Sequence, residues 1–145
     1  VIRQPFPEVM DKFSSLMNKG SIETIYATLE ALDKIGLPGA EACVADLYRL
    51  LNHDDIRVSF RAIQSFGRMP MQAEKVVPKL FNLYQIEKLA IRKNQIIRTF
   101  KAYGENGITV LDAMIKAAQG PDKRPIAEVI SILTGESVED IISRS

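Results

Sequence analysis

The sequence predicts an all-α protein: an α-α superhelix, or solenoid, of about four helical hairpins with an extra helix at the N-terminus. Three observations predict it. Apolar residues recur at helical spacing along the whole chain, and no stretch sustains the two-residue alternation of a half-buried strand. Helical patterns close on Gly36, Gly67, Gly104 and Gly135, which lie 31, 37 and 31 residues apart, and a turn and a second pattern follow each one. A helix-turn-helix unit repeating every 30 to 40 residues or so is the signature of a stack in which each unit buries its faces against the next. The 145 residues suffice for one continuous core, so the chain reads as a single domain.

The element with the clearest pattern runs from Asp54 to Tyr84. Asp54 or Asp55 is placed to cap a helix whose apolar stripe is Val58, Ala62, Phe66 and, on its flank, Ile63, with Gly67 as its stop. Val76, Val77, Leu80, Phe81, Leu83 and Tyr84 then form a second face, and Pro78 is expected near that helix's start, where a missing N–H matters least. One hairpin cannot bury both its faces, so it needs neighbours of its own kind.

In chain order, Val9, Phe13, Leu16 and Met17 predict an amphipathic helix over residues 1–20, a cap with Pro7 in its first turn, Phe6 stapled back onto it and Gly20 as its stop. The first hairpin covers 21–53. Ser21 is its N-cap, Ile25, Leu29, Leu32 and Ile35 mark one face, Leu37-Pro38-Gly39 makes the turn, and Cys43, Val44, Leu47, Leu50 and Leu51 form the answering stripe. The second hairpin covers 54–86 and the third 87–120. In the third, a helix from Lys88 to Tyr103 sets Leu89, Ile96, Phe100 and Tyr103 on one side, Gly104 and Asn106-Gly107 make the turn, and Ile108, Leu111, Met114 and Ile115 answer. Gly120-Pro121 opens the last unit, 121–145, with Ile126, Val129, Ile130 and Leu133 leading to Gly135. A short helix follows, capped by Ser137.

Composition excludes several functions. No apolar run approaches the roughly 18 residues that cross a bilayer, and no signal-peptide pattern is present. Cys43 is the only cysteine, which removes internal disulfides and multi-cysteine metal sites and fits the reducing cytoplasm. His53 is the only histidine, so no two-His zinc motif exists; between two helices it reads as a polar end residue. No phosphate-binding Gly-rich loop occurs, and the aromatic residues fall at core spacing. No enzyme chemistry, cofactor or metal is expected. Net charge is +1 but uneven: residues 54–101 carry 10 Lys/Arg against 4 Asp/Glu, and the flanks are acidic. A basic centre points to an acidic partner or to solvated helix faces. The chain starts at Val1 and finishes on a short Ser-capped helix, so it reads as part of a longer protein.

The second unit resembles a HEAT repeat, especially the short bacterial kind also found in phycobilisome-type lyases. The residues that carry the likeness are the opening Asp, Val58, Ala62, the Phe66-Gly67 close where the family has Leu-Gly, and Val77-Pro78 before Leu80. It extends loosely over residues 21–135, with Gln95 for an apolar residue, Ala45 for Pro and Ser59 for Arg. Tetratricopeptide repeats have a similar length but a different pattern of bulky and small residues. The resemblance implies second helices that line a concave, protein-binding face, onto which Asp46, Arg49, Lys79, Asn82, Asp112 and Lys116 would look. Arg49, Lys79, Asn82, Asp112 and Lys116 are the partner-binding candidates. The partner expected is another protein or another domain of the parent chain, with no membrane insertion. An alternative is suggested by HEAT-like alkylpurine DNA glycosylases, with Arg57, Arg61, Arg92, Arg98 and Lys101 as polyanion contacts. The resemblance to that family implies aromatic residues, Trp included, around an acidic residue, and this chain has no Trp.

Overall fold

The computed structural model describes residues 7–145, which leaves Pro5 and the Phe6 staple outside the described residues. These residues form nine α-helices and one 3-10 turn, with no strand among them. The chain divides into two compact units, the first ending at Met71 and the second running Gln72–Ser145.

The first unit holds α1 (Pro7–Lys19), α2 (Ile22–Ile35), α3 (Leu37–Ala42), α4 (Val44–Leu50) and α5 (Ile56–Arg68). α2 is its hub: α1, α3 and α5 all pack on it, and α4 packs on α5 and α1. The core is Leu29, Leu32, Leu47, Val58, Ala62, Ile63 and Phe66, all fully buried. Local chemistry sets the boundaries. The Ser21 side chain accepts the Thr24 N–H at 3.2 Å, Gly36 turns the chain at φ 87°, and the Asp55 carboxylate accepts the Arg57 N–H at 2.8 Å. Three expectations need correction. Leu37-Pro38-Gly39 is helical, because a Pro in a first turn forfeits no bond and Gly36 alone makes the bend. Gly67 does not stop α5. The helix runs one residue further, and Pro70 stops it by forcing Met69 out of helical geometry (φ −131°, ψ 74°). In α1 the buried face is Met10 and Met17, while Val9 is 40% exposed, a shift of one position from the expected stripe.

The second unit holds α6 (Ala73–Ile86), α7 (Ala90–Ala117), a 3-10 turn (Gly120–Asp122), α8 (Lys123–Thr134) and α9 (Val138–Arg144). Each helix packs on its neighbour in sequence, α6 on α7, α7 on α8 and α8 on α9. α7 is two helices joined at Gly104, whose φ 59°, ψ −136° lies where only glycine rests without strain. Gly107, expected in the turn, is already inside the second of the two. Leu89, expected on the buried face with Ile96, Phe100 and Tyr103, precedes the helix and is 46% exposed. Pro78 sits in the interior of α6, because the helix begins at Ala73. Gly135 ends α8 in left-handed geometry, its N–H on the Ser131 carbonyl at 2.8 Å, and Ser137 caps α9 through the Asp140 N–H.

Gly104 supplies a direct test. No atom lies within 4 Å of where a Cβ would stand, so Gly104→Ala meets only backbone strain. The expected loss is about 1 to 3 kcal/mol in urea unfolding of the second unit. An unchanged midpoint would mean the joint relaxes freely.

Candidate interaction groove

In the second unit, the first turns of α6 and the second half of α7 enclose an open groove of about 690 Å³. The α7 side is built on helical spacing: Asn106, Val110, Ala113 and Ala117 recur every three or four residues, with Thr109 and Met114 beside them. Facing them are Gln72, the N-cap of α6, and Ala73, Glu74 and Pro78 on α6 itself. Ala73, Ala113 and Ala117 contribute short side chains, and Val110 and Met114 add apolar surface.

The polar residues of the lining are Gln72, Glu74, Asn106 and Thr109. Pro78 has no N–H, so the Glu74 carbonyl lacks the partner four residues on that a helix normally supplies, and both residues line the groove. Glu74 is the only charged group in the lining. Gln72 stands at the mouth in left-handed geometry (φ 48°), a conformation uncommon outside glycine. Its carbonyl accepts the Lys75 and Val76 N–H groups that start α6, and its side chain, making no cap bond, is exposed.

The five partner-binding candidates lie off this lining. Arg49 is in the first unit, bound to Asn18 and to the Asp46 carboxylate, so it ties α4 to α1. Lys79 is half-buried and Asn82 exposed on α6; Lys116 is exposed on α7. Asp112 stands 3.5 Å from Arg144, which also reaches Glu136 at 3.1 Å, so Asp112 anchors α9. Among the polyanion candidates, Arg57 is paired with the Asp55 cap at 3.1 Å and holds that carboxyl below its usual range, chiefly through its side-chain hydrogen bond. Arg61 is paired with Asp33 at 3.2 Å and lies over the Tyr26 ring, and Arg92 is paired with Glu87 at 2.8 Å. Arg98 and Lys101 are exposed. The groove residues escaped sequence reasoning because Ala, Thr and Pro carry no charge signal. The small residues Ala113 and Ala117 repeated on one face of a helix were the available clue.

No reactive group lies in the groove. Cys43, in the first unit, is fully buried between α3 and α4; burial, with help from Asp46 and Asp11, pushes its thiol up to about 11, so it stays protonated at neutral pH. His53 accepts the Asp55 N–H on Nδ1 at 3.0 Å, a turn-forming bond. Among the described residues no three His, Cys, Asp or Glu side chains come together to hold a metal. No family model, curated protein or solved structure matches the chain.

Proposed function

We propose that the chain is a non-catalytic interaction module of the HEAT-like, α-solenoid kind that holds a segment of another protein, or of another domain of its own parent, in the groove between α6 and the second half of α7. The observation that carries this reading is the groove's make-up: three alanines, a few polar side chains and one carboxylate, lining an open groove on two helices from successive hairpins. Such a surface binds by summing weak contacts along rigid helices, with the small residues letting backbones approach and the polar side chains fixing register. Chain-sequential packing of α6 through α9 supports the repeat reading, and the lone buried thiol supports a cytoplasmic setting. The polyanion alternative has no comparable support, since Arg57, Arg61 and Arg92 are each bound to a carboxylate.

The test is a photo-crosslinking residue placed at Thr109 or at Asn82 in the producing cell. Crosslinks from 109 are expected to fall on one short segment of one partner and to vanish when Ala113→Trp fills the groove, with the melting curve kept. Equal labelling from both positions, or indifference to Ala113→Trp, removes the groove from the function.

A further inference from the structure

The α6–α7 turn presents an apolar tip that the groove reading does not use. Ile86 is 74% and Ile91 68% exposed, the two most exposed large apolar side chains among the described residues, and Leu89 between them is 46% exposed. Scattered single exposures are ordinary; three within six residues, on one turn, mark a contact surface. The turn is held in shape. One Glu87 oxygen accepts the N–H groups of Lys88 at 3.1 Å and Leu89 at 3.0 Å, while the other binds Arg92 at 2.8 Å. The tip is therefore presented by a fixed scaffold.

The charge that follows it along the chain is almost all of one sign. Between Ile86 and Gly104 the only acidic residue is Glu87, already engaged by Arg92, and Lys88, Lys93, Arg98 and Lys101 are cationic. Ile91, Asn94, Arg98 and Lys101 follow one face of the helix, and all four are exposed. At the helical rise, Arg98 and Lys101 stand about 10 and 15 Å behind Ile91 along the axis. An interfacial apolar element sinks about 5 to 10 Å into the boundary between headgroups and acyl chains. With the tip at that depth, the two cations lie at headgroup level, and Lys88 reaches back up to it along its own stem.

We infer that the α6–α7 turn docks peripherally on an anionic lipid surface, Ile86, Leu89 and Ile91 entering the acyl boundary while Lys88, Arg98 and Lys101 meet the headgroup charge. A protruding tip with its cations set behind it suits a fluid layer, whereas a peptide wants a walled cleft, and the groove is at residues 72–78 and 106–117 instead. The contact stays at the surface, because no helix among the described residues is long and apolar enough to cross a membrane.

The test is sedimentation of the chain with vesicles of mixed phosphatidylserine and phosphatidylcholine, against phosphatidylcholine alone. Binding is expected on the mixed vesicles only and should weaken as salt rises. Ile86→Ser with Ile91→Ser should abolish it with the melting curve unchanged, and Arg98→Gln with Lys101→Gln should weaken it about 25-fold, roughly five-fold per charge. The chain has no tryptophan, so Leu89→Trp gives a single reporter whose emission should shift to the blue on mixed vesicles. Failure to bind mixed vesicles overturns the proposal. So does binding that survives the Ile substitutions but not the Arg98 and Lys101 ones, which would mark a site for acidic polymers, such as an acidic protein segment, with no lipid insertion. Neither result bears on the groove, which is read out by crosslinking.

Discussion

Ala62→Asp is expected to unfold the first unit. Ala62 is fully buried on α5, one turn from Val58 and from Phe66, which are both fully buried as well. A carboxylate there has no cation to meet and displaces core atoms, and the alternative of taking up a proton leaves a polar group unpaired in the same place. The expected loss exceeds about 4 kcal/mol, which is comparable with the whole stability of a small unit. Hydrogen exchange would show it directly: amides of α2 and α5 lose protection. The control is Ala27→Asp, at an exposed site on the packed helix α2, which should change stability by less than about 0.5 kcal/mol. Retained protection in α5 after Ala62→Asp would mean that its buried face has been assigned to the wrong side.

What the sequence revealed and what it hid have separate physical causes. Periodicity named the buried faces of α5, α6 and α8, and of α2 up to Leu32, because a 3.6-residue pattern is a local property, read without knowing the neighbour; Ile35, expected on the same face, is 39% exposed at the end of α2. Gly36, Gly104 and Gly135 are breaks, as the sequence indicates, because each adopts a positive φ that other residues resist; Gly67, which the sequence marks in the same way, is not one, because it keeps helical geometry and Pro70 ends the helix. Leu89 and Ile91 look like core letters in the sequence, yet they stand outside: Leu89 is the residue on whose carbonyl α7 starts, and Ile91, in the first turn, falls on the exposed face. The candidate site was least legible. Charged residues on second helices stand out in the sequence, but Arg49 and Asp112 are spent on holding helices together, and the groove, Glu74 apart, is made from residues without charge. Which charges pair depends on contacts between segments distant in sequence, and one such contact, Arg68 with Asp33, joins residues 35 apart.

That contact belongs to the second large effect. Asp33 on α2 is 8% exposed in its side chain and binds Arg61 and Arg68 of α5 through a single oxygen. Arg61 is 12% exposed, and besides Asp33 it has only the Tyr26 ring at 5.5 Å and a long bond to Gln64 at 3.4 Å. Asp33→Ala therefore strands a guanidinium against the core, and the expected loss is about 3 to 5 kcal/mol in urea unfolding followed through α2 and α5. Arg68, half exposed, regains water and adds little. The network is also incomplete: the other Asp33 oxygen and the Arg61 Nε are buried without partners. Two charges taken out of water and only partly satisfied do not repay their desolvation, so replacing both members should undo the damage of replacing one. Asp33→Leu combined with Arg61→Met is expected to match or exceed the parent's stability, by up to about 4 kcal/mol. If the double replacement is as unstable as Asp33→Ala, the ion pair itself holds α2 to α5, and attraction across it outweighs the cost of burying it.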